Sequence, residues 1–495
     1  MNADTGDTSR GGHVVVIGGG IAGLAAAHRL AVAGRRVTLL EATTRLGGKL
    51  HAGEIAGTRV DLGAESMLAR RPEATDLARA VGLGDRLQPP ATASASVWTR
   101  DALRPMPKGH VMGVPGDAAA LTGLLSAEGL ARIEHERDLP PADPAALGDD
   151  VAVGRYVADR LGREVVDRLV EPLLGGVYAG DAYRISMRAA VPKLFEAARS
   201  HGSLTAAVRS LQQEGRRQTG PAFMGIAGGI GTLPGAVADA ITARGGEILT
   251  DTPVHALIRH AGGDTGRSGG SGARAGGWDV RTGDRVLRAD AVIVATPAWS
   301  ASELLAIESP AAAAELATVE YASMALVTLA FRRAELERVL PAGSGFLVPP
   351  VDGRTIKAST FSSQKWKWTD EGSDDLVVLR TSVGRYGEEE YLHREDADLV
   401  SVSLTDLAHA TGLAAAPVAT EVTRWIGGLP QYPVGHLARV ARIRDAVAKL
   451  PGLRVCGAAY DGVGIPATIA SARRAADEIL ATPTLAHGTQ SDERE

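Results

Sequence analysis

Apolar positions along the chain repeat with two different periods, and the changes of period mark out its elements. The run HVVVIG (13–18) is short, β-branched and almost wholly apolar, which predicts a buried strand. Alanines and leucines then recur at helical spacing over 21–33, Gly34 suits the end of that helix, and RVTLLE (36–41) predicts a second strand. Such a unit is about 30 residues long, the size of a parallel strand–helix–strand crossover. From 115 to 213 the period is helical, with AVGRYVADRL and REVVDRLVEPLL placing apolar residues at i, i+3, i+4 and i+7 and LPPADP (139–144) forming a joint. Mixed patterning returns with GGIGTLPGAVADAITARGG, EILTDTPVHALIRH and WDVRTGDRVLRADAVIVATP. The strands MALVTLAF and DLVVLRTSV follow, then a helix over 396–411. The last unit is LRVCGAAYDGVG with a helix over 466–480.

Strand–glycine–helix units therefore stand at the start, near the middle and at the end. The expected fold class is α/β: a Rossmann-like dinucleotide-binding domain assembled from residues 13–62, 221–300 and 446–482. An α+β substrate domain would use 63–114 and 301–445, and a helical domain would be inserted over 115–220. The polar tails 1–12 and 483–495 are expected to be disordered, and GGDTGRSGGSGARAGG (262–277) to form an extended hairpin loop.

Composition narrows the class. With 495 residues, 45% hydrophobic and 22% charged, the chain suits a globular protein of two or three domains. Its net charge of −5 is scattered, with no basic stripe, so no nucleic-acid partner is expected. A single cysteine cannot form an internal disulfide, which fits a reducing cytoplasm. No apolar stretch reaches the roughly 18 residues of a membrane span, and MNADTGDTSRGG does not read as a signal peptide. The expectation is a cytoplasmic protein with at most peripheral contact at the inner face of the membrane.

The glycines carry the first chemistry. Gly18, Gly20 and Gly23 form G-x-G-x-x-G between the first strand and helix. The first permits a tight turn, the second lets the backbone approach a pyrophosphate, and the third lets helix and strand pack closely. Glu41, at the end of the second strand, is placed to accept ribose hydroxyls. The chain then runs through Arg45 to the pair Gly47-Gly48 and Lys49, an extra turn that the longer flavin dinucleotide can use. A further glycine turn lies in CGAAYDGVGIPATIAS (456–471). There is no Ser/His/Asp set, no H-E-x-x-H and no cysteine ladder, so no metal is expected and no side chain is assigned a catalytic role. His436 reads as a structural loop residue and Cys456 as a small buried one.

The E-x-x-x-R-x-G-G after the fingerprint and the late glycine turn resemble the flavin amine oxidase superfamily. Five more stretches, in order, resemble its protoporphyrinogen/coproporphyrinogen III oxidase family, specifically the Gram-positive, coproporphyrin-forming type. They are DLGAES (61–66), PMPKGHVMGVP (105–115), EPLLGGVYAGD (171–181), TRWIGGLPQYPVGH (423–436) and YDGVGIP (460–466). The resemblance runs from 13 to about 480. It implies non-covalent FAD held by Gly18, Gly19, Gly20, Ile21, Ala22, Gly23, Glu41, Ala42, Arg45, Gly48, Lys49, Gly63, Ala64, Glu65 and Ser66. The Val254 backbone would meet the adenine, and Trp425, Val463, Gly464 and Ile465 the flavin ring.

The implied reaction is oxygen-using oxidation of coproporphyrinogen III to coproporphyrin III in haem biosynthesis. Roughly three hydride transfers to flavin N5 remove the electrons, with release of hydrogen peroxide. The porphyrinogen and molecular oxygen are the implied partners, with a ferrochelatase as a hand-off partner. Arg70 and Arg71, with Lys108 behind them, are candidates to hold propionates. Ser96 stands where plant and animal protoporphyrinogen oxidases carry an arginine, which favours the four-propionate substrate. The helical section corresponds to the family's membrane-facing domain. Three alternatives stand beside this reading: a protoporphyrinogen IX oxidase, a flavin amine oxidase or carotenoid desaturase, and a non-catalytic flavoprotein scaffold. Residues 360–435 show no clear aromatic cage for an amine, and intact flavin contacts in all three segments argue against lost activity.

Overall fold

The computed structural model describes residues 11–141, 147–215, 220–260, 276–283, 285–336 and 339–482. The expected tails over 1–10 and 483–495, most of the low-complexity loop (262–275) and residues 142–144 of the joint lie outside the described residues.

The valine-rich run opens a five-stranded parallel sheet. Its strands are β1 (Gly11–Ile17), β2 (Arg35–Leu40), β3 (Glu247–Leu249), β4 (Ala291–Val294) and β5 (Leu453–Val455), in the order β3-β2-β1-β4-β5. β1 already begins at Gly11, within the stretch expected to be tail, because Gly11 pairs with Arg35 across a bulge. Alternation along β1 sorts its side chains between two cores. Val14 and Val16 join Leu24, Leu30 and Ile469 beneath α1 (Ile21–Val32) and α2 (Ile465–Ala481), whereas Val15 and Ile17 join Trp278, Val292 and Ile443. A parallel sheet covered on both faces needs strands that are apolar on both sides, which is why these runs show no polar alternation.

A seven-stranded sheet forms the second body, in the order 419–430, 321–332, 376–383, 356–360, 345–347, 96–99, 102–105. Its outer face, with Ala325, Val327, Leu329, Phe331, Val377 and Leu379, packs under Leu399 and Leu407 of the helix Asp396–Thr411. Its inner face places Ala330 and Val378 against Ile55 and Val60 of the hairpin Ala52–Ile55/Thr58–Asp61 and against Leu62, which follows it. The described residues between 127 and 215 are mostly helical and bury Leu169, Leu174, Tyr178, Phe195 and Leu204 with Tyr432. One widened turn, Val166–Val170, precedes Pro172, whose ring nitrogen has no hydrogen to give the preceding turn. Among the described residues no helix is long and apolar enough to cross a membrane.

Candidate functional site

The first glycine turn is built as its sequence dictates. Gly18 has φ +106°, open to glycine at little cost. A Cβ on Gly23 would stand 1.8 Å from the Gly18 carbonyl oxygen, so only glycine lets α1 sit this close to the turn. Gly20 is different: it is the N-cap of α1, without a side-chain cap, and a Cβ there would meet nothing within 4 Å. The open backbone and free N–H groups make a cradle for an anion.

Glu41 knots this turn to its neighbours. Its Oε2 accepts the Gly19 N–H at 2.7 Å, and its Oε1 accepts the Thr43 N–H at 2.9 Å. The loop beyond strand β3 closes on the same segment, with Thr252 N–H donating to the Glu41 carbonyl and Asp251 N–H to that of Thr43. That brings Val254, at the start of the strand Val254–His260, beside Glu41 and the exposed Ala42.

The second glycine pair lies against the first turn, for Gly47 N–H donates to the Gly19 carbonyl at 2.8 Å. Arg45 folds back and donates to the Leu46, Gly48 and Leu50 carbonyls, so its guanidinium staples this turn. Lys49 stays exposed, yet the surrounding protein lowers its pKa by desolvation, the combination expected of an ammonium lining a concave wall. The Lys49 carbonyl accepts the Ala64 N–H at 3.1 Å and would lie 2.1 Å from a Cβ on Gly63.

The late turn reaches the same place from the other side. Gly457 approaches the start of α1, where its Cβ would stand 3.9 Å from that of Ala22. Gly464 is the exposed N-cap of α2, again without a side-chain cap, and the nearest atom to its Cβ position is Pro466 Cδ at 4.0 Å. Val463 packs against the cluster holding Tyr178 and Tyr432, while Ile465 is buried against α1.

The inner face of the seven-stranded sheet closes the site. Trp425 donates its indole N–H to the Leu62 carbonyl at 3.1 Å and meets His51 edge-on at 6.3 Å. Arg380 donates to the carbonyls of Asp61 and Gly63 at 2.6 and 2.9 Å. Glu65 lies between Lys365 at 2.5 Å and Arg380 at 3.3 Å, 8% exposed. Burial pushes its carboxyl up, but the Arg380 and Lys365 cations outweigh that and hold it at about 2. Asp61 is pushed up to about 6 by burial, against hydrogen bonds from Gly231 and Ile230.

These turns, two uncapped helix starts and an aromatic wall have a counterpart among known proteins. The sequence matches the family described as flavin containing amine oxidoreductase over residues 21–480. The chain belongs to this family. Its coproporphyrinogen III oxidase relative from Mycobacterium tuberculosis H37Rv is 37% identical, covering 94% of this chain and 96% of the relative. The Bacillus subtilis protein of the same name is 32% identical over 94% of this chain and 98% of its own length. A crystal structure from Exiguobacterium sp. 255-15, assigned provisionally as a protoporphyrinogen oxidase, shares 32% identity with a TM-score of 0.81. It covers 95% of this chain and 99% of the solved one. Cyclohexylamine oxidase from Brevibacterium oxydans shares the fold, with a TM-score of 0.67 at 19% identity over 94% of this chain and 98% of its own.

A flavin fits the cradle of this family member. Gly20 and Gly464 leave room for a ligand where any side chain would intrude, and both helix starts present free donors. Cys456 is fully buried, and burial pushes its thiol up to about 12, far from a reactive thiolate.

The three propionate candidates are exposed or half-buried. Arg71 pairs with Glu73 at 2.6 Å beside the helix Glu73–Ala80, where Arg473 of α2 is felt, and Arg70 is exposed next to it. Lys108 is exposed in the loop whose Gly109 faces Gln212. None of the three has a described contact with Trp425 or Gly464. Conversely, Arg380 and Lys365 were not anticipated. The one available sign was a charged residue inside the otherwise uncharged strand Leu376–Val383.

Proposed function

We propose that this protein is an FAD-dependent, oxygen-using oxidase that converts coproporphyrinogen III to coproporphyrin III, with the flavin held non-covalently. The observation that carries the reading is full-length similarity to several relatives named coproporphyrinogen III oxidase, joined to a cradle built from all three dinucleotide segments. FAD, when bound, supplies the acceptor for hydride from the carbons beside the pyrroles, and oxygen removes those electrons as hydrogen peroxide. The protein's part is to hold and orient. The starts of α1 and α2 give N–H donors and positive dipole ends to the anionic parts of the cofactor. Glu41 and the segment at Val254 receive the adenosine half, while Trp425 and residues 463–465 border the ring. Residues 13–62, 221–300 and 446–482 act as the cofactor domain, and the inner face of the seven-stranded sheet with the helix Glu171–Tyr178 receives the substrate.

The test is turnover. Purified protein with FAD should form fluorescent porphyrin from coproporphyrinogen III in air, with matching oxygen consumption; a rate no higher than autoxidation overturns the reading. A second reading, protoporphyrinogen IX oxidase, has support from the Bos taurus protoporphyrinogen oxidase, 30% identical over 95% of this chain and 98% of that protein. The ratio of kcat/KM on the two porphyrinogens decides between them.

A further inference from the structure

Lys357 is a buried cation for which the cofactor site gives no task. It lies in the strand Ile356–Thr360, where the ladder to the strand Leu376–Val383 slips: Ile356 pairs with Val383, but Ala358 pairs with Ser382. Such a bulge breaks the alternation and re-aims a side chain. Ile356 packs in the outer core, and the Lys357 ammonium reaches Met324 Sδ at 3.7 Å. Met324 pairs in register with Trp425, so Lys357 lies on the inner face that carries Trp425 to the Leu62 carbonyl.

Opposite stands the helix Glu171–Tyr178, packed on the same strand. A Cβ on Gly175 would meet nothing within 4 Å, and one on Gly176 only Leu347 at 3.8 Å, so this wall leaves open space. Among the described residues Lys357 has no ion pair, although it is only 6% exposed. A thioether is a weak acceptor. The carboxylate that acts on it, Glu388, pairs with Arg385 at 3.3 Å, and Arg385 also donates to the Val348 and Ile356 carbonyls. A buried ammonium without an anion is costly, and burial accordingly lowers this one to about 7, with Arg385 adding to the effect.

We propose that Lys357 forms an anion subsite of the substrate chamber and takes one carboxylate of the substrate's acid side chains. The inference rests on the porphyrinogen reading above. A carboxylate entering between the glycine wall and Met324 supplies the charge that the fold withholds, and fixes how the ring lies against Trp425. Its dependence on carboxylate makes Lys357 a specificity-determining residue.

The test is the binding of coproporphyrin III and of its tetramethyl ester to the FAD-loaded protein, followed by the shift of the porphyrin absorption band. Lys357→Met keeps the shape of the side chain and removes the charge. It should weaken the tetra-acid about 10- to 100-fold and leave the ester unchanged. Lys357→Arg should recover part of the loss. Equal weakening of acid and ester, or no weakening of the acid, overturns the subsite while leaving the functional reading intact. If the wild type binds neither porphyrin and oxidises no porphyrinogen, the functional reading itself fails, and the subsite falls with it.

Discussion

Gly20 and Gly23 stand three residues apart in one motif, yet the structure gives them opposite jobs, and two alanine substitutions separate them. In Gly23→Ala the new methyl would stand 1.8 Å from the Gly18 carbonyl oxygen and 3.4 Å from Ala295 Cβ. Relief requires α1 to recede by more than ~1 Å from a turn it is packed on, in an interior that does not yield easily. Overpacking of this kind costs about 1–3 kcal/mol, and the backbone clash here puts Gly23→Ala at the upper end or beyond. Gly20 has φ −68° and no neighbour within 4 Å, so alanine fits the apoprotein. The loss there is about 1 kcal/mol at most, for a poorer N-cap. Its methyl does stand where a pyrophosphate must approach, so FAD affinity should fall at least ~10-fold, or about 1.4 kcal/mol. Urea unfolding of the two apoproteins and fluorescence titration with FAD measure the two effects separately. Wild-type FAD affinity in Gly20→Ala, or a wild-type unfolding midpoint in apo Gly23→Ala, would refute the division of labour.

Three further substitutions test the rest of the site. Gly464→Asp gives α2 the side-chain cap it lacks. The apoprotein should gain about 0.5–1 kcal/mol while FAD retention or the rate of flavin reduction falls, and unchanged flavin behaviour would reduce the turn to packing. Arg380→Met removes the donor to the Asp61 and Gly63 carbonyls and leaves buried Glu65 with Lys365 alone; a loss of about 3–5 kcal/mol in chemical denaturation is expected. His436 is fully buried and stacked on Tyr432 at 3.9 Å; burial first, then Arg439, lowers it to about 4. A lowered histidine contributes stability that is present above its unfolded pKa and lost as pH falls toward the folded value. Between about pH 6.5 and 4 the wild type should therefore lose roughly 3 kcal/mol through this group, a slope that His436→Phe abolishes.

Local physics made the first crossover legible. A β-branched run, a glycine at positive φ, an apolar helix and an acidic strand end each need only their neighbours, and Gly18 to Glu41 fold as their pattern reads. The late turn at Gly464 was legible for the same reason. The helical period of the middle section likewise announced its own helices, because a stripe of apolar residues needs no knowledge of what covers it.

What the sequence alone did not reveal are contacts that span hundreds of residues. Nothing near Glu65 says that its partners are Lys365 and Arg380, some 300 residues further along the chain. Arg45 likewise shows only in the folded chain that its guanidinium donates to three backbone carbonyls. Arg70 and Arg71 follow a glycine turn in sequence, but that Arg71 pairs with Glu73 is visible only in the folded chain. Lys357 shows the reverse: an ordinary lysine in a strand becomes a buried cation, with no ion pair among the described residues, through a one-residue slip in strand register. The sequence by itself determined the elements and the turn chemistry, since backbone conformation is a local property. Only the tertiary structure decided which charges face one another, because burial and pairing belong to the assembled fold.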